Sequence, residues 1–269
     1  MRKVVYWQRR NRLVYFDAKA TPQYWDSRWQ AEGKPPAISA RDDVVTVTTR
    51  YLPRGARILE GGCGRANKVK AMVDAGFCAV GLDFAPDAVK QARLHYPDLD
   101  IREGDVRSLE FTNGSLDGYW SIGVIEHFWD GYGSIIAEAA RVLKPRGFLF
   151  LTAPWLSPYR KHKARRGEYP SADFAEEPVG FYQFALGREE VCKELARHGF
   201  RVLRWRGRVS EISMRDDMAR FQKQTQWLLA SRGSLAKRIA RLAIFRALDP
   251  YCGHSFLAVA QRSALPLCS

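Results

Sequence analysis

The chain has 269 residues, 46% hydrophobic and 27% charged, the balance of a globular protein long enough to bury a substantial core. Its net charge of +14 calls for an anionic partner (nucleic acid, an anionic membrane surface, a phosphate- or carboxylate-bearing substrate) unless it only solvates basic faces. No apolar run reaches the ~20 residues that span a bilayer, the N-terminus lacks a secretory leader, and the five scattered cysteines read as reduced thiols of a cytoplasmic protein.

Residues 1–40 form an aromatic and basic arm, with Tyr6, Trp7, Tyr15, Phe16, Tyr24, Trp25 and Trp29. Tyr24–Trp29 is helix-like, and Trp25 and Trp29, four apart, share a face. Gly33-Lys34-Pro35-Pro36 then breaks the helix. The apolar run Ala56–Leu59 stops at Glu60, and Gly61, Gly62, Cys63 and Gly64 follow before an amphipathic stretch from Asn67 to Ala75. Strand, glycine turn, helix is the arrangement that offers backbone N–H groups and a helix N-terminus to a ligand. Glycine is required where a Cβ would block the turn or the ligand's approach.

Cys78–Leu82 reads as a second buried strand ending at Asp83, about 20 residues past the glycines, where a carboxylate can accept from ribose hydroxyls. A third strand near Asp100–Arg102 ends in Gly104-Asp105, and a fourth, Gly118–Ile122, ends in Gly123-Val124-Ile125-Glu126-His127. The turn Lys144-Pro145-Arg146-Gly147 leads into a fifth, Phe148–Thr152. Residues 153–187 make a long loop, 188–198 a helix and 199–205 a sixth strand; after the stretch 207–253, Ser255–Ala260 is the last strand.

Leu59-Glu60-Gly61-Gly62-Cys63-Gly64, Gly81-Leu82-Asp83, Gly104-Asp105-Val106, Ile125-Glu126-His127 and Leu143-Lys144-Pro145-Arg146-Gly147 occur in the order and spacing of one family. In these pieces the chain resembles a class I S-adenosylmethionine-dependent methyltransferase of the small-molecule type, over roughly residues 41–152. The resemblance implies a Rossmann-like α/β fold: a seven-stranded sheet with its last strand antiparallel, flanked by helices. It divides the chain into the 1–40 arm or lid and a methyltransferase domain, 41–263, with cap insertions at about 153–187 and 207–253. It also implies S-adenosylmethionine as cofactor. Glu60, Gly61, Gly62, Cys63 and Gly64 would then serve the amino-acid tail, and Asp83 the ribose, with Phe84 beside the adenine. Asp105, Val106 and Arg107 would meet the adenine edge, and Gly123 would leave room near the sulfonium. Trp29 resembles the aromatic residue of the N-terminal lid in thiopurine-type relatives, or simply packs the arm onto the core. Ala66 stands where the family has its last glycine, which predicts slight crowding.

Methyl transfer needs an oriented acceptor and, for a weakly acidic one, a base. His127 and His254 are the candidate bases by position; the alternatives are packing or a hydrogen bond near the cofactor. No Asp/Asn-Pro-Pro-Tyr/Phe follows the fourth strand, no cysteine lies there, and no carboxylate cluster suggests a metal. The acceptor expected is therefore a small or lipid-linked metabolite, plausibly anionic, methylated on O or N. An RNA methyltransferase gains from the charge but lacks base-flipping signatures. An NAD-dependent oxidoreductase lacks its third glycine, because Asn67 stands there; a non-catalytic cofactor-binding module is the remaining alternative. The helix-like stretch Leu235–Ala243 sets Leu235, Ile239 and Leu242 opposite Lys237, Arg238 and Arg241. It either caps a pocket with its charges in water or, within 232–248, lies on an anionic membrane. The sequence leaves the oligomeric state open.

Overall fold

A computed structural model of the chain describes residues 3–31, 38, 42–217 and 235–264. The predicted helix break at Gly33–Pro36 and residues 218–234 of the second insertion lie outside those residues.

The main sheet has seven strands. Their ranges are β3 (Arg57–Gly61), β4 (Cys78–Asp83), β5 (Asp100–Glu103), β6 (Leu116–Ile122), β7 (Leu143–Pro154), β9 (Phe200–Arg208) and β10 (Ser255–Arg262). The order is β5-β4-β3-β6-β7-β10-β9, and β10 runs antiparallel to both neighbours. From β3 the chain proceeds one way through β4 to β5, then restarts on the other side at β6. That reversal opens a crevice beyond the carboxyl ends of β3 and β6, where sheets of this kind bind ligands.

Helices cover both faces. On one, α2 (Asp43–Tyr51), α3 (Asn67–Asp74) and α4 (Pro86–His95) bury Val44, Val69, Met72, Val89 and Ala92 against Ile58 and Phe150. Trp120 is wholly buried there; its indole stacks on Phe150 at 4.7 Å and donates to Thr48 Oγ1 at 2.9 Å, which ties α2 to the sheet. On the other, α5 (Gly133–Val142) and α7 (Arg188–Arg197) bury Ile135, Ile136, Val191 and Leu195. Side chains on β3, β4 and β6 therefore face packed layers on both sides, so these strands read as continuous apolar runs rather than alternating ones.

The first 16 residues hold structure that the composition of the arm does not announce. β1 (Lys3–Trp7) and β2 (Arg12–Phe16) form a hairpin, turned by Asn11 at φ 50°, a left-handed position that Asn tolerates better than most. β2 then pairs with β8 (Phe181–Ala185), making a second, three-stranded sheet from the N-terminal hairpin and the first insertion. The next segment is α1 (Pro22–Ala31). After β7 comes α6 (Pro158–Arg165), and after β9 come α8 (Ser210–Asp217) and α9 (Leu235–Cys252).

The basic run Arg160-Lys161-His162-Lys163-Ala164-Arg165-Arg166, which as sequence reads as solvated charge, is not a uniformly solvated face: Arg160 is buried, binding Asp217 with Nε and Nη2 and the carbonyls of Trp155 and His254 with Nη1. On α9, Ile239 and Leu242 face outward, Phe245 and Cys252 are buried, and Arg241 is half-covered.

Candidate active site

The glycine turn is dictated by its backbone. Gly62 and Gly64 sit at φ 75° and 50°, and a Cβ on Gly62 would overlap Val124, while one on Gly64 would lie 3.1 Å from the Trp29 ring. Gly61 is likewise confined by Tyr119. Ala66 does not crowd a ligand space; it is buried at φ 58° as the residue preceding α3, so its cost is backbone strain of ~1 kcal/mol or more.

A cavity of about 290 Å³ opens over this turn. Gly62, Cys63, Gly64, Asp83, Phe84, Asp105, Val106, Arg107, Gly123 and His127 line it, with Trp25 and Trp29 of α1 on the far wall. Asp83 is held rigidly: its Oδ2 accepts from the Gly64 amide at 2.7 Å and its Oδ1 from that of Ala85 at 3.0 Å. Burial raises its pKa and those two amides oppose the rise. Asp105 is clamped by Arg107 at 2.6 Å, which keeps its carboxyl below the usual range. Phe84 stands exposed at the rim, available to stack. The stacked indoles of Trp25 and Trp29 (centroids 5.5 Å apart) close over Gly64, and the Arg65 guanidinium lies 5.1 Å from the Trp29 ring.

Two predicted site residues, Glu60 and Gly61, lie behind the cavity wall rather than on it. Glu60 is buried, and its Oε2 has no hydrogen-bond partner. Burial pushes its pKa up to about 7, against the attraction of Lys68, which does line the cavity. Glu126 is similar: buried, with Oε2 unpartnered and a pKa pushed by burial to about 8. A Cβ on Gly123, which lines the cavity, would be 3.5 Å from its Oε1.

The two candidate bases part company. His127 lines the cavity, packed edge-on against Trp25 (5.3 Å) and Tyr182 (5.0 Å). Its Nδ1 is 2.7 Å from the Tyr182 carbonyl, an oxygen that only accepts, so Nδ1 carries the proton and Nε2 keeps a lone pair. Burial drops its pKa to about 4, so the ring is neutral at pH 7. His254 does not reach the cavity. Its Nδ1 accepts from Arg160 Nη2 at 2.9 Å, which places the proton on Nε2, and burial and that guanidinium hold its pKa near 4. A ring whose one lone pair is already spent on a guanidinium cannot serve as a base.

Sequence reasoning missed several wall residues. Trp25, Asn67, Lys68, Ile122, Val124 and Phe128 line the cavity beside the predicted set. Lys68 could have been found as the second residue of a helix beginning at the glycine turn. None of the described residues of 153–187 or 207–253 lines it; the first insertion reaches it indirectly, through Tyr182.

Residues 59–151 match the family described as a methyltransferase domain, Methyltransf_11. This chain carries a class I S-adenosylmethionine-dependent methyltransferase domain. The cofactor of such a domain is S-adenosylmethionine. Among the relatives of this methyltransferase domain is a probable S-adenosylmethionine-dependent methyltransferase of Mycolicibacterium smegmatis, 32% identical over 114 residues, 42% of this chain and 44% of the relative. Another is the ubiquinone biosynthesis O-methyltransferase of Xanthomonas axonopodis pv. citri, 35% identical over 131 residues, 46% of this chain and 54% of the relative. The match thus spans about half the length of these curated relatives. In fold, this chain is similar to an S-adenosylmethionine-dependent methyltransferase from Mesorhizobium loti, with a TM-score of 0.54 at 16% identity, covering 82% of this chain and 99% of the other.

Proposed function

We propose that this protein transfers a methyl group to an oxygen or nitrogen of a small, anionic or lipid-linked acceptor, oxygen being favoured. The observation that carries the reading is the pairing, in one cavity, of a glycine cradle and Asp83 with a neutral His127 whose Nε2 is unprotonated.

The residues present fit S-adenosylmethionine. Asp83 offers carboxylate oxygens at the tip of β4 for ribose hydroxyls, and the glycine turn, whose amides already donate to the Leu82 carbonyl and to Asp83, offers a floor on which Gly62 and Gly64 put no side chain in the ligand's way. Two buried carboxylates with unpartnered oxygens, Glu60 and Glu126, sit behind the same wall, and a cationic ligand would lower the cost of ionising them. The indoles of Trp25 and Trp29, stacked on each other with Arg28 and Arg65 over their rings, wall the cavity with flat apolar surface. When bound, the cofactor supplies an electrophilic methyl group. His127 Nε2 then takes the proton of an acceptor hydroxyl, while Tyr182 holds the ring in its tautomer. Trp25, Trp29 and Phe128 exclude water and hold the acceptor, and orientation of this kind is worth about 7–11 kcal/mol. Relatives that are O-methyltransferases of ubiquinone biosynthesis support oxygen as the atom methylated.

The test is transfer of labelled methyl groups from S-adenosylmethionine into fractionated polar and lipid extracts. Label in a small or lipid-linked acceptor, lost in His127→Gln with cofactor affinity retained, is the expected result. Label confined to RNA, or cofactor binding without transfer to any fraction, would overturn the reading.

A further inference from the structure

Among the described residues, nothing covers the outer side of α9. Ile239 is 58% exposed, Leu242 56%, Ile244 40% and Tyr251 49%. Scattered exposed apolar residues are ordinary, but these four gather on the open side of one helix, where the helical period sets Ile239 and Leu242 on one flank and Ile244 and Tyr251 on the other. Arg246 stands between Ile239 and Leu242 on that side, Arg241 lies half-covered at its edge beyond Ile244, and from Leu235 to Leu248 the sequence contains no Asp or Glu. The first acid, Asp249, is already engaged, its Oδ1 accepting from the Ser210 amide at 3.0 Å. The charge that the helix itself brings to its open side is therefore cationic.

We propose that α9 is the surface by which this protein docks on an anionic lipid bilayer. Charge and apolarity together select that occupant. A second copy of the chain would set arginine against arginine in a protein already at +14. Nucleic acid would pair with the arginines and leave Ile239 and Leu242 in water. An anionic bilayer meets both, taking the aliphatic side chains at the acyl boundary and the guanidinium groups among the headgroups. No described helix is long and apolar enough to cross a membrane, so the contact would be peripheral.

Topology puts this surface beside the cavity. α9 leads into β10, whose first residue, Ser255, pairs with Pro154 at the carboxyl end of β7. That is the edge of the sheet on which the glycine turn sits, three strands over from β3, or about 15 Å at the usual spacing. Docking through α9 brings the mouth of the cavity near the headgroups, where a lipid-linked acceptor is found.

The experiment uses the full chain without cofactor, so it reads binding alone and stands apart from the methyl-transfer assay. Sedimentation with phosphatidylcholine vesicles is compared with vesicles carrying about 30% phosphatidylglycerol. Binding at least tenfold stronger to the anionic vesicles is expected, weakening as salt rises from about 0.1 to 0.5 M. Ile239→Glu/Leu242→Glu should cut it about tenfold or more, with an unchanged unfolding midpoint, since both positions are exposed. Arg241→Gln/Arg246→Gln should cut it comparably while sparing the apolar patch. Equal binding to both vesicle types, or variants that bind as the parent does, would overturn the proposal. So would a concentration-dependent dimer that Leu242→Glu dissociates, which would give the face to a second copy.

Discussion

Glu126 is a carboxyl that the fold holds at a cost. Unfolded, it titrates near its ordinary 4.5; folded, burial raises that to about 8. Between those values the folded chain keeps a proton that the unfolded chain has released. Stability therefore falls as pH rises from about 4.5 to about 8, by on the order of 1.4 kcal/mol per unit at most, and levels off above. Glu126→Gln cannot ionise, so its unfolding midpoint should gain on the parent's between pH 5 and pH 8 by the equivalent of about 2–4 kcal/mol. A pH-independent gap in thermal melts would mean that Glu126 is solvated. His127 has the opposite sign: a folded pKa near 4 against 6.5 unfolded costs stability as pH falls through that window. As the proposed base it gives a second prediction. His127→Gln should lower kcat by 10²–10⁴-fold with cofactor affinity unchanged, and the parent's acid limb should lie well below pH 6.5. Asp83→Ala should do the reverse, weakening cofactor binding in calorimetry by about tenfold or more, because it removes both the ribose acceptor and the anchor of Gly64. At this scale the glycines and Asp83 were legible, since positive φ and strand-tip position restrict which residues fit. The tautomer of His127 was not, because the carbonyl that sets it lies 55 residues away in sequence. Nor was the fate of His254, which turns on the burial of Arg160 within a run that reads as solvated charge.

At the scale of elements, α1 is fastened to the domain by a hydrogen bond that serves two helices. Asp26 Oδ1 accepts from the Ala88 amide at 2.9 Å, capping the first turn of α4, whose own Ala85 offers no side-chain acceptor. The same bond holds Trp25 and Trp29 over the glycine turn. Asp26→Ala should cost about 1 kcal/mol of stability, the worth of a cap. It should also speed cofactor dissociation severalfold in stopped-flow, with kcat nearly unchanged. An unaltered dissociation rate would show that α1 does not close over the ligand. The spacing of Trp25 and Trp29 revealed the helix, because the helical period places such pairs on one face. It could not reveal α4 as its dock, a contact 62 residues distant. The hairpin β1–β2 was readable in principle: Val4–Trp7 and Leu13–Phe16 are β-branched and aromatic runs around Asn11. Its basic residues directed attention to charge instead. Periodicity marked the stripe with Ile239 and Leu242 on α9 and left two places for it, over a pocket or on a membrane, since it tells that a helix has two sides but not which one the fold covers.

For the molecule as a whole, the N-terminal hairpin decides whether the first residues are an appendage or part of the fold. Leu13 and Val14 are wholly buried, Trp7 stacks on Trp129 at 4.9 Å, and Arg12 forms an ion pair with Glu190 of α7. β2 supplies the hydrogen-bonded neighbour of β8, and β8 carries the Tyr182 carbonyl that sets His127. Removing residues 1–16 would bare Phe181 and Phe184 and leave β8 unpaired. At ~2 kcal/mol for each buried side chain lost, the deficit approaches the whole stability of an ordinary domain. The truncated chain should therefore melt more than about 10 °C lower, bind a dye for exposed apolar surface, and aggregate through the open edge of β8. If it instead melted with the parent but had lost transfer activity, the hairpin would act on the site alone, through Tyr182. Those two outcomes separate a fold that depends on its N-terminus from a cavity that borrows one carbonyl from it; the burial of Leu13 and Val14 favours the first.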